Sequence, residues 1–446
     1  MTISLRAQRR FCALMMAATF CAPTLASDHY LGLINADTPH LQAVYKDIHA
    51  NPELGFMEHR TAGIVAAELE QLGFEVKTGI GGTGVVGILR NGEGPTLMYR
   101  ADMDANAVEE VTGLPYASNV KVTNLDGVET HVSHMCGHDA HTTWLIGLAR
   151  TIAAQKEAWS GTLVLVAQPA EEPIEGAIAM VNDGLYTTHA VPKPDYFLAM
   201  HTIPFPTGTV VASPGRISTG SEHLDITFHG VGGHGSTPQE TKDPVLMAGQ
   251  AITQLQTVVS RFTDPAETAV LTIGAVNAGV DNNVIPTEAT LKLKLHFSTT
   301  EVHQVMVEGI KRISDSIAVA NRVDEDKMPT YSHKGYAIAV VNDEALTHSI
   351  QQQLRDAPFV DKVVPQFSMA GSEDATTLVE NVPGVKIAYI NIGTAAPELF
   401  DAARARGEFV PFVPHNGDYQ VDLNAIKKGT KITTHLVLDL LSPNKL

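Results

Sequence analysis

The chain has 446 residues, 44% hydrophobic and 18% charged, with 49 acids against 31 lysines and arginines for a formal net charge of −18. A chain of this length supports two or more domains with ample core, and so acidic a balance repels nucleic acid and anionic membrane surfaces. The three cysteines exclude a disulfide framework, because Cys12 and Cys21 fall in the first 26 residues and leave Cys136 alone.

Arg6, Arg9 and Arg10 precede an apolar run over 11–20 and small residues ending Thr24-Leu25-Ala26. This is the pattern of a cleaved secretory signal over 1–26, and the run is shorter than the roughly 18 to 20 apolar residues a spanning helix needs. Export to the periplasm or the medium is therefore expected. Cleavage leaves 420 residues with a net charge of −21, since three arginines and no acids depart. No later stretch is apolar enough to span a bilayer, so no membrane association is expected afterwards.

The break at Pro52 is followed by helical periodicity over 61–72, which Gly73 ends. Three apolar, strand-like runs then each deliver a chemical residue at the carboxyl end: 96–101 leads to Asp102, 163–167 to Glu171 and Glu172, and 196–200 to His201. Open α/β sheets place ligands at such strand ends. Between the first two runs, the segment around Cys136 enters an apolar helix over 143–154.

From about 213 to 323 the texture changes to strand, helix, strand, strand, helix. Residues 223–229 alternate as a strand, and Asp243-Pro244 opens a helix expected to reach Arg261. Strands follow over 269–276 and 289–297, then a helix over 300–320. This is the split βαββαβ pattern of a small inserted domain. α/β character resumes with a strand over 385–392 and a closing helix over 423–441. The expected units are 27–212, 213–324 and 325–446.

Two segments match the dinucleotide fingerprint G-x-G-x-x-G, Gly79 to Gly84 and Gly230 to Gly235. Neither opens a helix, so the helix N-terminus that would hold a pyrophosphate is missing and no nucleotide cofactor is expected.

Cys136 and His138 stand at metal-ligand spacing, with His134 and His141 close by. Glu171 and Glu172 are adjacent acids that repel each other unless cations neutralise one of them. A solvated acidic turn, a packed cysteine or a redox thiol are the alternatives these residues leave open on their own.

Taken together, the segments His49-Ala50-Asn51-Pro52-Glu53-Leu54-Gly55-Phe56, Arg100-Ala101-Asp102-Met103-Asp104-Ala105, Cys136-Gly137-His138-Asp139, Gln168-Pro169-Ala170-Glu171-Glu172, Gly232-Gly233-His234-Gly235-Ser236, Asn283-Val284-Ile285-Pro286 and Ser372-Glu373-Asp374 carry a specific resemblance. In that order the chain resembles the M20 metallopeptidase and amidohydrolase family, in particular its hippurate hydrolase and auxin-conjugate hydrolase branch. The resemblance implies an α/β fold: a two-metal catalytic domain with a central, mostly parallel sheet, interrupted by a smaller ferredoxin-like α+β lid.

The same resemblance implies two divalent ions, zinc or manganese, with Cys136 shared between them. Glu172 and His415 would complete one site, His138 and His201 the other. Glu171 would be the general base for a water held between the ions, and Asp102 would orient a ligand histidine, His138. His234 and Asn283 would come from the lid to the oxyanion, in many members from a partner subunit, which makes a homodimer through the lid an expectation. The implied substrate is a small N-acyl amino acid or conjugate. A dipeptidase or aminopeptidase on the same site, or a catalytically silent binder, are the competing functions. The chain departs from the family pattern at Pro173-Ile174-Glu175-Gly176, at Ser236-Thr237-Pro238-Gln239, at Ala375, and at His296, near where an arginine is usual.

Overall fold

The computed structural model describes residues 22–367 and 371–443. The first described helix, Ala22–Ala50, starts inside the segment expected to be a signal, whose residues 1–21 lie outside the described residues. No helix among the described residues is long and apolar enough to cross a membrane.

An eight-stranded sheet forms the centre, in the order Glu75–Ile80, Gly84–Asn91, Gly161–Gln168, Thr96–Asp102, Tyr196–Pro206, Lys386–Ala395, Thr209–Val211, Lys362–Val364. Its middle four strands run parallel to one another. The strand Thr96–Asp102 is buried almost throughout, as expected where helices cover both faces. Its alternation feeds two cores: Leu97, Tyr99 and Ala101 pack on one side with Trp144 and Leu436, whereas Met98 packs on the other with Met180 and Leu378. The helices Ala22–Ala50, His138–Ala153 and Leu423–Leu440 pack together over the first face.

A separate four-stranded antiparallel sheet has the order Ala269–Ala278, Glu288–Phe297, Gly220–His229, Thr330–Ala337. Numbered along the chain this is 2-3-1-4, the ferredoxin-like arrangement. Leu291, Leu293, Leu295 and Phe297 point into a core of their own with Phe228, Met306 and Ile310. The fourth strand lies past residue 324, the expected end of the inserted unit. The helix capped by Asp243, whose side chain accepts from the Val245 and Leu246 amides, stops at Gln254 instead of Arg261, and a π-helical turn follows over Val258–Phe262. The β-branched pair Val258 and Val259 weakens the continuation.

Candidate metal centre

Cys136 is held at a tight corner. Gly137 takes a left-handed φ of 84° as the residue before the helix His138–Ala153, and a Cβ there would lie 2.6 Å from Thr202 Oγ1. The turn therefore needs glycine for both conformation and space. Thr202 Oγ1 donates to the Cys136 carbonyl at 2.7 Å, and Tyr419 donates in turn to Thr202 Oγ1 at 2.8 Å. The helix begins at His138 itself, five residues earlier than its apolar periodicity suggests.

His201 sits in the strand Tyr196–Pro206. Its Nδ1 donates to the Thr202 carbonyl at 2.7 Å, which leaves Nε2 facing Cys136 Sγ at 3.5 Å. Glu171 and Glu172 follow the strand Gly161–Gln168 in a turn where Ala170 and Ile174 take positive φ. The Glu172 amide donates to Asp104 Oδ2 at 2.9 Å. His415, also at positive φ, is pinned by its amide to the Met135 carbonyl at 2.7 Å, and its Nε2 lies 3.3 Å from Glu172 Oε2.

Five side chains from four distant segments thus meet as two groups of donors. Cys136, His138 and His201 form one, and Cys136, Glu172 and His415 the other, with ligand atoms within 4.8 Å of one another in each. Cys136 is common to both. The donor set fits divalent ions, because His138 Nε2 and Glu172 Oε1 are buried with no hydrogen-bond partner, and buried polar atoms are ordinarily satisfied. Thiolate and imidazole suit zinc, while carboxylate also admits manganese.

Burial and Glu172 push the Cys136 thiol up, but His201 and His138 outweigh them and bring it to about 6. Burial would lower His201, yet Cys136 raises it to about 9. Hydrogen bonds to Cys136 and Glu172 raise His415 to about 10. Glu171 is held well above the usual carboxylate range by burial, and then by the charges of Glu373 and Glu172. Its carboxylate lies 3.9 Å from His138 Nε2.

The expectation that Asp102 orients His138 is corrected. Asp102 Oδ1 accepts from His141 Nδ1 at 2.5 Å and Oδ2 from Arg100 at 2.6 Å, while His138 Nε2 is 3.7 Å away. Asp104 Oδ1, 3.2 Å from His138 Nδ1, takes that role. His141 is fully engaged, since its Nε2 accepts from the Thr202 amide at 2.8 Å. Arg100, completely buried, spans Asp102, Glu373 and Asp374. An arginine inside an apolar strand run was the signal for this network in the sequence.

His234 and Asn283 are not brought to the cluster within this chain. The ladder Gly233–His234 with Val284–Ile285 places them side by side, both exposed, and His234 Nδ1 accepts from Ser236 Oγ at 2.8 Å. The cavity over the cluster, about 440 Å³, is lined instead by Glu171, His201 and Tyr389 on the large-sheet side and by His223, Lys294 and His296 from the small sheet.

An α/β sheet with two donor triads gathered beside it, a buried glutamate and an open cavity define a metal-dependent hydrolase. Residues 98–439 match the model of peptidase family M20/M25/M40, and the chain belongs to that family. It is 40% identical over 285 residues to the hippurate hydrolase of Campylobacter jejuni, covering 64% of this chain and 71% of that one. It is 33% identical over 342 residues to the IAA-amino acid hydrolase ILR1-like 4 of Arabidopsis thaliana, covering 76% and 74%. A dinuclear metal-binding M20 peptidase from Bacillus subtilis superposes with a TM-score of 0.68 over 91% of this chain and 99% of that one, at 24% identity, and shares the fold.

Proposed function

We propose that the chain hydrolyses the amide bond of N-acyl amino acids or related amino-acid conjugates. The observation that carries this reading is the placement of Glu171, whose carboxylate opens on the cavity beside two donor triads that meet at Cys136. Cys136, His138, His201, Glu172 and His415 would hold two divalent ions, zinc or manganese, which would supply Lewis-acid activation of water and of the amide carbonyl. Glu171 takes the proton of the attacking water and hands it to the leaving amine.

His234 and Asn283 are proposed to stabilise the oxyanion after the small sheet closes as a lid, or by reaching the cavity of a second copy in a homodimer. The units 27–212, 213–324 and 325–446, with β pairing of Thr330–Ala337 extending the second, are the proposed domains. The segment 1–26 is proposed as a signal that directs the protein to the periplasm or the medium.

The test is metal analysis of the mature protein joined to a screen of N-benzoylglycine, N-acetyl amino acids and unblocked dipeptides. Blocked substrates turn over faster under this reading. Faster cleavage of free-amine dipeptides makes the protein a dipeptidase or aminopeptidase, and full metal content without turnover makes it a binder. Glu171→Gln lowers kcat by roughly 10² to 10⁴-fold, the usual worth of a general base, with metal content unchanged.

A further inference from the structure

On the strand Glu288–Phe297, every second residue from Ala289 to Phe297 is buried in the small sheet's own core. Lys294 and His296 therefore share the opposite face, which lines the cavity above Cys136 and Glu171. Lys294 is directly cross-strand from His223. Its ammonium donates to His223 Nε2 at 2.8 Å and to Ser221 Oγ at 3.2 Å. His296 is turned to Thr219, with Nδ1 3.2 Å from its hydroxyl.

The ammonium of Lys294 has two neutral acceptors and no counter-charge. Among the described residues no carboxylate oxygen lies within 4.0 Å of it, whereas Lys334 on the same sheet pairs with Asp225 at 2.9 Å. Half-burial pushes Lys294 down to about 8, with Glu171 the acid that pulls the other way. A partly desolvated cation without an anion is costly unless a ligand supplies one. The cavity that contains it also contains the donor triads, so the anion belongs to whatever is cleaved there.

We propose that Lys294, positioned by His223 and Ser221, is the subsite that takes the free carboxylate of the amino-acid half of the substrate. The proposal rests on the hydrolase reading above. It puts recognition two residues before His296, the position near which the family pattern carries an arginine. It uses a point charge in place of a bidentate fork, and both the lysine and the triads come from one chain.

The experiment compares N-benzoylglycine with N-benzoylglycinamide, which differ only in the carboxylate, on metal-loaded wild-type protein, Lys294→Met and Lys294→Arg. Wild type prefers the acid in kcat/KM. Lys294→Met reduces that preference roughly 10- to 150-fold, the worth of a hydrogen bond to a charged group, chiefly through KM, and Lys294→Arg restores part of it. Equal use of acid and amide by wild type, or an equal loss on both substrates in Lys294→Met at unchanged metal content, overturns the subsite. Should wild type cleave neither compound, the hydrolase reading fails separately. The subsite is then decided by calorimetry with the same two compounds on Glu171→Gln protein, with and without Lys294→Met. Tighter binding of the acid that vanishes with the lysine supports it, and indifference to the lysine sinks it.

Discussion

Asp104 meets His138 Nδ1 at 3.2 Å and the Glu172 amide at 2.9 Å, so one buried carboxylate fixes a donor of each triad. Partners of this kind typically contribute about 10- to 100-fold in metal affinity. Asp104→Ala is expected to weaken binding by that amount, measured by competition with a chromophoric chelator, with less effect on the unfolding temperature of the metal-free protein. Cys136, His138, Glu171 and Glu172 sit in short, ordered motifs, whereas His201 and His415 were expected beside them only through the family resemblance; the fold brings all six together. The choice between Asp102 and Asp104 was not legible in the sequence. They lie two apart at one strand end, both fully buried, and only the path of the helix after Gly137 decides which meets His138. His49 offers a pH test through Asp139, the residue after His138. Its Nδ1 lies 2.6 Å from Asp139 and its Nε2 3.1 Å from Glu110. Burial lowers it, but these partners raise it from 6.5 to about 9. A raised folded-state pKa stabilises fully below about 6.5, and the contribution is lost as pH climbs through about 9. The stability advantage of wild type over His49→Gln should therefore shrink from pH 6 to pH 9 in thermal melts.

The helix that begins with His138 is seated by close contact with the helix Leu423–Leu440. Trp144 is fully buried, and its indole donates to the Ala425 carbonyl at 3.1 Å. A Cβ on Gly429 would lie 2.2 Å from the Trp144 ring, and one on Gly147 would lie 2.6 Å from Thr430. Gly429→Ala must displace the indole, so it is expected to destabilise by roughly 1 to 3 kcal/mol, as overpacking does, read from urea unfolding. Both helices were readable from their periodicity. The crossing was not, because glycines within apolar helices carry no sequence mark of what approaches them. The same limit applies to the strand Thr330–Ala337, whose half-exposed polar residues hide its pairing with Gly220–His229.

At the scale of the molecule, two sheets with separate cores share one cavity, and its floor concentrates acids. Glu171, Glu373 and Asp374 have carboxylate oxygens within 4.8 Å of one another, and Glu172 is adjacent. Arg100 is the buried cation among them. Ions that bind the folded chain stabilise it by mass action, about 2.7 kcal/mol at a hundredfold excess over Kd. Chelation is expected to lower the melting temperature, and readdition of zinc or manganese to restore it. Failure to shift would argue against ions held by the folded form. The division into two sheets was legible from the change of texture near 213, whereas the residues that the small sheet turns to the cavity, Lys294 and His296 in place of His234, were not, since motif order does not say which face of a sheet lines a cavity.

Gly335, at a φ of 50°, comes so near the acid-bearing turn that a Cβ would lie 2.5 Å from the Pro173 carbonyl and 3.1 Å from His223 Nδ1. A bare backbone therefore acts as the bearing between the small sheet and the turn after Glu172. Anyone redesigning the turn at Pro173 and Ile174 would have to redesign the opposing strand as well, because the two surfaces are matched parts.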